Sequence, residues 1–279
     1  MDKEASSQGK WDGPVDDSGN PVFEGHGTFV WENGDKYSGE WKLGQFHGTG
    51  QLFYIDGDEY EGEWEDGMYH GHGTLSSPSG FKYVGEWQTG KPHGRGEMTF
   101  TNGDVYEGEF VEGKQHGQGT TAYADKDKYV GEWENGAYHG QGTLSSPNGF
   151  KYVGEWQTGK PHGRGEMTFT NGDVYKGEFV EGKQHGQGTT AYADKDEYEG
   201  EWENGAYHGQ GSLSSPNGFK YVGGWQNGNP DGQGVMDFAN GDKHIGEFRN
   251  GKRDGQGTSI FADGTKKIGK WKEGDFLDD

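Results

Sequence analysis

The chain has 279 residues, of which 57 are glycine, 47 are acidic, 25 are Lys or Arg and none is cysteine, and its formal charge is −22. Leu, Ile, Val and Phe together supply 37 residues, which excludes an ordinary aliphatic core, and the lack of cysteine excludes disulfides, thiolate nucleophiles and cysteine-ligated zinc. The charge opposes binding to nucleic acid or anionic lipid, and no apolar run reaches the roughly 20 residues that span a bilayer.

One motif, an aromatic residue followed by x-Gly-Glu-Trp/Phe-x-x-Gly, recurs every 23 residues from Tyr37 onwards. In chain order, the sequence predicts a flexible N-terminal tail over residues 1–13 and a degenerate capping repeat over 14–36. Ten full repeats follow over 37–266, and a truncated repeat with a tail covers 267–279. The chain is therefore a repeat protein throughout.

Each repeat reads as a β-hairpin. Tyr60-x-Gly62-Glu-Trp64 alternates apolar and polar positions with the period of a half-buried strand, and the following Gly-rich segment with His-Gly-x-Gly predicts a chain reversal before a return strand. Pairs such as Asn102-Gly103 predict tight turns into the next repeat. Four to six glycines per repeat exclude helix. We predict an all-β fold: an elongated, twisted, single-layer antiparallel β-meander of 23-residue β-hairpin repeats.

An aromatic ladder takes the place of an aliphatic core in this prediction. Glycine between the two aromatic positions of each repeat removes a Cβ and lets a neighbouring ring lie against the backbone, and each buried ring contributes on the order of 150–250 Å² of contact. The predicted structural ladder is Tyr60, Trp64, Tyr83, Trp87, Tyr106, Phe110, Tyr129, Trp133, Tyr152, Trp156, Tyr175, Phe179, Tyr198 and Trp202.

A longer period of 69 residues lies on top of the repeat. Residues 83–151 and 152–220 are identical at 65 of 69 positions. The differences are Glu107/Lys176, Lys128/Glu197, Val130/Glu199 and Thr143/Ser212. Three repeats have therefore been copied as one block, which indicates that length is being varied.

This pattern resembles the MORN repeat family, whose unit is Tyr-x-Gly-Glu-Trp-x-x-Gly-x-x-His-Gly-x-Gly over 23 residues. The resemblance covers about residues 24–274. It implies a non-enzymatic structural scaffold or protein–protein interaction ribbon, in a cytoskeletal or ciliary assembly such as a radial spoke. The alternative that the resemblance leaves open is a phospholipid-recognition module that tethers proteins to membranes, against which the acidic charge argues. Lipid kinase activity would follow only by association with repeat-bearing kinases.

No catalytic, cofactor-binding or metal-binding residue is predicted. Gly85 to Lys91 has the spacing of a phosphate-binding loop, but Pro92 stands where Ser or Thr should ligate magnesium. A histidine recurs in each repeat, about 10 Å from the next, which is too far to share a zinc ion. These histidines, which we interpret as braces of the Gly-rich segment, are His47, His70, His93, His116, His139, His162, His185 and His208.

The position before the histidine is the one candidate for partner binding. It holds tyrosine every 69 residues, at Tyr69, Tyr138 and Tyr207. On exposed loop tips these side chains would form a row about 29 Å apart, suited to an elongated partner, although they could equally pack on their own hairpins. The predicted partners are other proteins of a cytoskeletal assembly, with a homodimer or pairing with another repeat protein possible. The predicted location is the cytoplasm, in the cytoskeleton or a cilium or flagellum.

Overall fold

The computed structural model describes residues 9–277, which form 24 β-strands and no helix. The chain divides into two compact units between Tyr138 and His139. In the first unit the strands are β1 Gly9–Asp12, β2 Gly25–Trp31, β3 Lys36–Lys42, β4 Gln45–Phe53, β5 Glu59–Glu65, β6 Met68–Ser76, β7 Lys82–Gln88, β8 Lys91–Thr99, β9 Val105–Val111, β10 Lys114–Ala122 and β11 Lys128–Glu134. Strand β12, Ala137–Ser145, begins at the end of this unit.

The second unit continues in the same way. Its strands are β13 Lys151–Gln157, β14 Lys160–Thr168, β15 Val174–Val180, β16 Lys183–Ala191, β17 Glu197–Glu203, β18 Ala206–Ser214, β19 Lys220–Gln226, β20 Asn229–Asp237, β21 Lys243–Arg249, β22 Lys252–Ile260, β23 Lys266–Lys272 and β24 Asp275–Phe276. Within each unit, consecutive strands pair antiparallel, for example β5 with β6 and β17 with β18. The predicted all-β antiparallel meander of hairpin repeats is confirmed.

The chain reverses within each repeat at a two-residue turn, earlier than the sequence suggested. Asp66 and Gly67 join β5 to β6 with φ angles of 49° and 80°, and positive φ at both residues is the mark of a type I′ hairpin turn. The His-Gly-x-Gly segment, which was predicted to make the reversal, lies inside the return strand instead. There it forms a bulge, because Gly62 pairs with Gly73 whereas Glu63 pairs with His70.

The N-terminal boundary also differs from the prediction. Residues 9–12, assigned to a flexible tail, form β1 and pair with β2. The Trp11 ring packs at 4.6 Å from Phe23 and 5.4 Å from Trp41, measured between ring centroids. This aromatic contact covers the first full repeat and explains why the strand forms. The first eight residues of the predicted tail and the last two residues of the chain lie outside the described residues.

All large buried side chains lie on one face of the sheet. Because strand side chains alternate between faces, Tyr60 and Trp64 share the side that we call the aromatic face, and Glu61 and Glu63 point to the other, which we call the groove face. Tyr60 is fully buried and Trp64 is 4% exposed. The core is thus a layer of rings on one side of each unit's sheet, and the opposite side is free to carry other chemistry.

Candidate functional site

Each ladder tyrosine is held by burial of its ring and by a hydrogen bond from its hydroxyl. Tyr60 is completely buried, and its hydroxyl donates to the carbonyl oxygen of Glu63 at 2.8 Å. Burial, with the nearby Glu63 carboxylate, raises the pKa of this phenol well above its usual range, so it stays neutral. The same burial and the same hydrogen bond, to the residue three positions on, recur at Tyr83, Tyr106, Tyr129, Tyr152, Tyr175 and Tyr198.

The ring at the second ladder position joins one repeat to the one before it. Trp64 and Trp87 donate their indole N–H to the carbonyl oxygens of Gly50 and Gly73, each at 3.1 Å. Both indoles lie edge-on to Tyr60, with ring centroids 4.9 and 5.5 Å away. The other buried ladder rings at this position are Phe110, Trp133, Trp156, Phe179 and Trp202. Among the described residues, Trp133 and Trp225, which stands at the same position of a later repeat, have a buried indole N–H with no hydrogen-bond partner.

The ladder tyrosines require glycine beneath them, and the backbone of these glycines lines the floor of a groove on the other face. A Cβ on Gly73 would lie 2.3 Å from the Tyr60 hydroxyl, and a Cβ on Gly62 would lie 2.5 Å from the Gly73 Cα. Gly62 and Gly73 are paired across the two strands. Two facing glycines in these hairpins therefore leave room for the tyrosine ring on the aromatic face, to which their own side chains would point, and their backbone lies at the floor of the groove face.

The groove floor opens into well-defined cavities. In the first unit, one cavity of about 430 Å³ lies beside Glu61 and Glu63, and another of about 530 Å³ lies beside Arg95, Glu97 and Glu107. In the second unit a cavity of about 370 Å³ is lined by Arg164, Lys176, Glu178 and Glu199, among others. All three have paired glycines in their walls or floor. Exposed Val84 and Val130 also line the second of these cavities, so the groove is a recurring feature of both units that combines charged, polar and aliphatic side chains.

A glutamate in each of these repeats holds the bulge at the groove edge. The Glu63 carboxylate accepts the backbone N–H of His72 at 2.8 Å, and Glu86 accepts that of Arg95 at 2.8 Å. At the bulge, Gly71 has a φ of 52°, and a Cβ there would lie 2.4 Å from the Glu63 carboxylate. Equivalent hydrogen bonds are made by Glu40, Glu109, Glu155 and Glu201. The Glu178 carboxylate lies over the bulge in the same way, since a Cβ on Gly186 would lie 2.3 Å from it.

This carboxylate was not predicted from the sequence, and the hydrogen bond that braces the Gly-rich segment was assigned to the histidines instead. The signal was present, since Glu follows the first glycine of nearly every repeat. The imidazoles of His70 and His208 instead face Glu65 and Glu203, with Nδ1 to Oε2 distances of 3.2 Å. The buried Nδ1 atoms of His47, His93 and His162 have no hydrogen-bond partner among the described residues. The bracing hydrogen bond that we expected from the histidines is therefore supplied by a carboxylate, which can accept a backbone N–H without a tautomer requirement.

The predicted tyrosine row lies within strands, not on loop tips. Tyr69 is half-buried in β6, and its ring stacks on Tyr60 at a centroid distance of 3.8 Å. Its hydroxyl shares a hydrogen bond of 2.8 Å with that of Tyr54. Tyr138 and Tyr207 stack in the same way on the ladder tyrosines of their repeats, at 3.7 and 3.6 Å. Of the two arrangements left open by the sequence, the structure shows the one in which these tyrosines pack on their own hairpins, because the reversal comes earlier in the repeat. Partner binding by these tyrosines stays a proposal.

The described residues contain no group of three or more His, Asp or Glu side chains placed to hold a metal ion. Over residues 9–277, no helix is available that could cross a membrane.

Comparison with protein-family models identifies the repeat. The MORN repeat model matches eleven consecutive segments, at residues 22–36, 37–59, 60–81, 83–105, 106–128, 129–151, 152–174, 175–197, 198–220, 221–243 and 244–266. A protein built from such units is a repeat-based scaffold or interaction module. The chain belongs to the MORN repeat family, as its sequence motif indicated.

Other comparisons add little. No curated protein matches the chain. Among solved structures, the G-box domain of the microcephaly protein CPAP is 15% identical with a TM-score of 0.34, covering 71% of this chain and 97% of that one. The TCP domain of SAS-4 from Drosophila melanogaster, solved with a proline-rich motif of Ana2, has the same identity and score over 63% and 90%. The TCP10 domain of Danio rerio CPAP is 11% identical, with a TM-score of 0.28 over 88% and 99%. Scores this low transfer no function.

Proposed function

We propose that this MORN repeat protein is a non-enzymatic scaffold of a cytoskeletal assembly, in a cilium or flagellum, and that it holds other proteins along its groove face. The observation that carries the proposal is the recurrence of one polar, glycine-floored groove above an unchanging aromatic layer. A surface repeated at a fixed interval suits an extended partner or several copies of one partner, because each repeat offers the same contacts again.

The energetics of the repeat support a groove face that is free to bind partners while the aromatic face stabilises the fold. Burial of the rings and the buried tyrosine hydrogen bonds stabilise the fold from one face alone. The groove face carries exposed carboxylates, amides, small side chains and valines such as Val84 and Val130 that the fold does not bury. Polar groups that stay in water in the free protein are available to a partner's polar groups, and such contacts give selectivity more than affinity.

A pull-down from extract of ciliated cells tests the proposal. The tagged chain is compared with a variant in which Glu61 and Glu107, on the groove wall, are changed to lysine. A second variant changes Tyr69, Tyr138 and Tyr207 to glutamine, the residue found at the same position of other repeats, such as Gln115. We expect axonemal or other cytoskeletal proteins to be captured by the parent chain and lost with the groove variant.

Each outcome has a defined meaning. Loss of partners with the tyrosine variant alone would assign binding to the tyrosine row on the aromatic face. Capture of membrane-associated proteins only, together with sedimentation of the chain with phosphoinositide vesicles at physiological salt, would replace the scaffold by the phospholipid-recognition alternative.

A further inference from the structure

The two long copies have diverged on a single face. Residues 83–151 and 152–220 differ at four positions. Two of these, Glu107/Lys176 and Val130/Glu199, line the groove cavities of their respective units. Of the other two pairs, Lys128/Glu197 stands two residues before Val130/Glu199 in the same strand, and Thr143/Ser212 is paired across strands with Val153 and Val222.

Alternation along a strand places all four differences on the groove face. The aromatic face of the two copies is identical in sequence, ring for ring. Substitution has therefore been confined to the surface that does not hold the fold together. This is the pattern of one framework carrying two different recognition surfaces.

The most consequential difference changes the charge pairing in the groove. In the first copy, Glu97 and Glu107 are direct cross-strand partners on β8 and β9. Like charges directly opposite one another on a sheet are unfavourable. In the second copy the corresponding partners are Glu166 and Lys176, which form an ion pair at 3.0 Å.

Comparison of the two copies shows that the first one lacks a cation beside its cross-strand pair of carboxylates. The two cavities have the same glycine floor and the same Arg and Gln neighbours, so an ammonium group fits beside the carboxylate at position 97 as it does beside Glu166. In the first copy no side chain of the described chain provides it. Glu109, from the same wall, adds a third carboxylate to the cavity, against the single cation of Arg95.

The distance between successive repeats determines the spacing of cationic side chains that a partner segment must have. Glu63, Glu86 and Glu109 occupy equivalent places in successive repeats, and backbone N–H groups fix their carboxylates. Two strands advance the sheet by about 9.6 Å, and one three-residue turn of a polyproline II helix advances by about 9.3 Å. A polyproline II segment crossing the strands therefore points every third side chain to the same place in each repeat.

We propose that the groove of the first unit binds a polyproline II segment of a partner protein with Lys or Arg at every third residue, one of which takes the place beside Glu97 that Lys176 takes beside Glu166 in the second unit. This inference rests on the proposed function and adds the partner's chemistry to it. The groove of the second unit, already supplied with its own lysine, does not take the same segment.

A labelled peptide of repeated Lys-Ser-Gly tests the inference by fluorescence anisotropy with the full chain at physiological salt. A peptide of the same composition with its lysines adjacent is the spacing control. We expect one saturable site on the parent chain, weakened about tenfold or more by Glu107→Lys, because an attractive contact becomes repulsive. Lys176→Glu should create a second site in the other unit. Asp17→Lys, an exposed change away from the groove, controls for net charge.

Folding of the variants is checked in the same samples. Glu107→Lys reproduces the pairing of the second copy, so its melting temperature should rise slightly while its affinity falls. Equal affinity of the parent and Glu107→Lys, or equal affinity of the two peptides, would overturn the inference. Cytoskeletal capture in the pull-down without any peptide binding would refute this partner chemistry and leave the scaffold proposal standing.

Discussion

Replacing one ladder tryptophan should unfold the protein locally. Trp87 is 5% exposed, lies edge-on to Tyr60, Tyr69 and Tyr83 at 5.5, 5.0 and 4.9 Å, and donates to the Gly73 carbonyl oxygen. About 200 Å² of ring surface at about 25 cal/mol per Å² gives an upper limit of about 5 kcal/mol. Large-to-small changes of aromatic residues cost about 3–5 kcal/mol, so we expect Trp87→Ala to cost about 4 kcal/mol.

The matched control is Trp87→Phe. Phenylalanine occupies the same position in the next repeat, where Phe110 lies edge-on to Tyr83 at 5.1 Å. This variant keeps the ring contact and loses mainly the indole hydrogen bond and part of the area, so its cost should be about 1–2 kcal/mol.

Hydrogen exchange resolves where stability is lost. With Trp87→Ala, amides of β6 and β7 should exchange faster, because in a repeat array each unit is stabilised mainly by its neighbours. Amides of β2, and those of β19 in the second unit, should keep the protection of the parent chain. An equal loss of protection in all strands, or the same effect from alanine and phenylalanine, would refute the nearest-neighbour reasoning.

Two further predictions concern stability. Thr89 has a φ of 47° in its type I′ turn, which is strained for a β-branched residue. Thr89→Asn should therefore raise the free energy of unfolding by about 0.5–1 kcal/mol, and Asn135→Thr, at the equivalent turn position, should lower it. Urea titration measures both changes. Burial and the nearby Arg253 lower the pKa of His244 to about 4 from 6.5. As pH falls, the His244 side chain is therefore protonated in the unfolded chain before it is protonated in the folded one. The free energy of unfolding around β21 should decrease between pH 6.5 and 4, by about 2 kcal/mol at a pH of about 5, and should stay constant above neutrality. Hydrogen exchange corrected for intrinsic rates measures this, and His244→Tyr, which restores the usual ladder residue, should remove it; an unchanged pH dependence in that variant would contradict the assignment.

Most of the fold was readable from the sequence because it depends on local period. The alternation around Tyr60 and Trp64 fixed the strands, the inward face and the antiparallel pairing, and the constant spacing fixed the repeat. The position of the reversal was not readable, because a two-residue turn can form at Asp66 and Gly67 while a glycine-rich bulge nearby resembles a turn equally well. The groove escaped prediction for a different reason: its walls are side chains from alternate residues of several strands, which are seen together only when the strands are set side by side.

The histidine assignment failed on a third ground. Periodic recurrence shows that a position matters, without showing which neighbouring group takes the hydrogen bond. The positions of Glu63 and His70 both hold the same residue in most repeats, and only the register of the bulge shows that the carboxylate reaches the His72 N–H.

The paired glycines that seat each ladder tyrosine have a consequence for how such a protein changes over generations. A side chain gained at Gly62 or Gly73 would point to the aromatic face and displace the Tyr60 ring, so these positions accept almost no substitution. The groove walls tolerate change, since Glu107 corresponds to Lys176 and Val130 to Glu199 in the second copy. Duplication of a block followed by a handful of wall substitutions can therefore give a new specificity at little risk to folding.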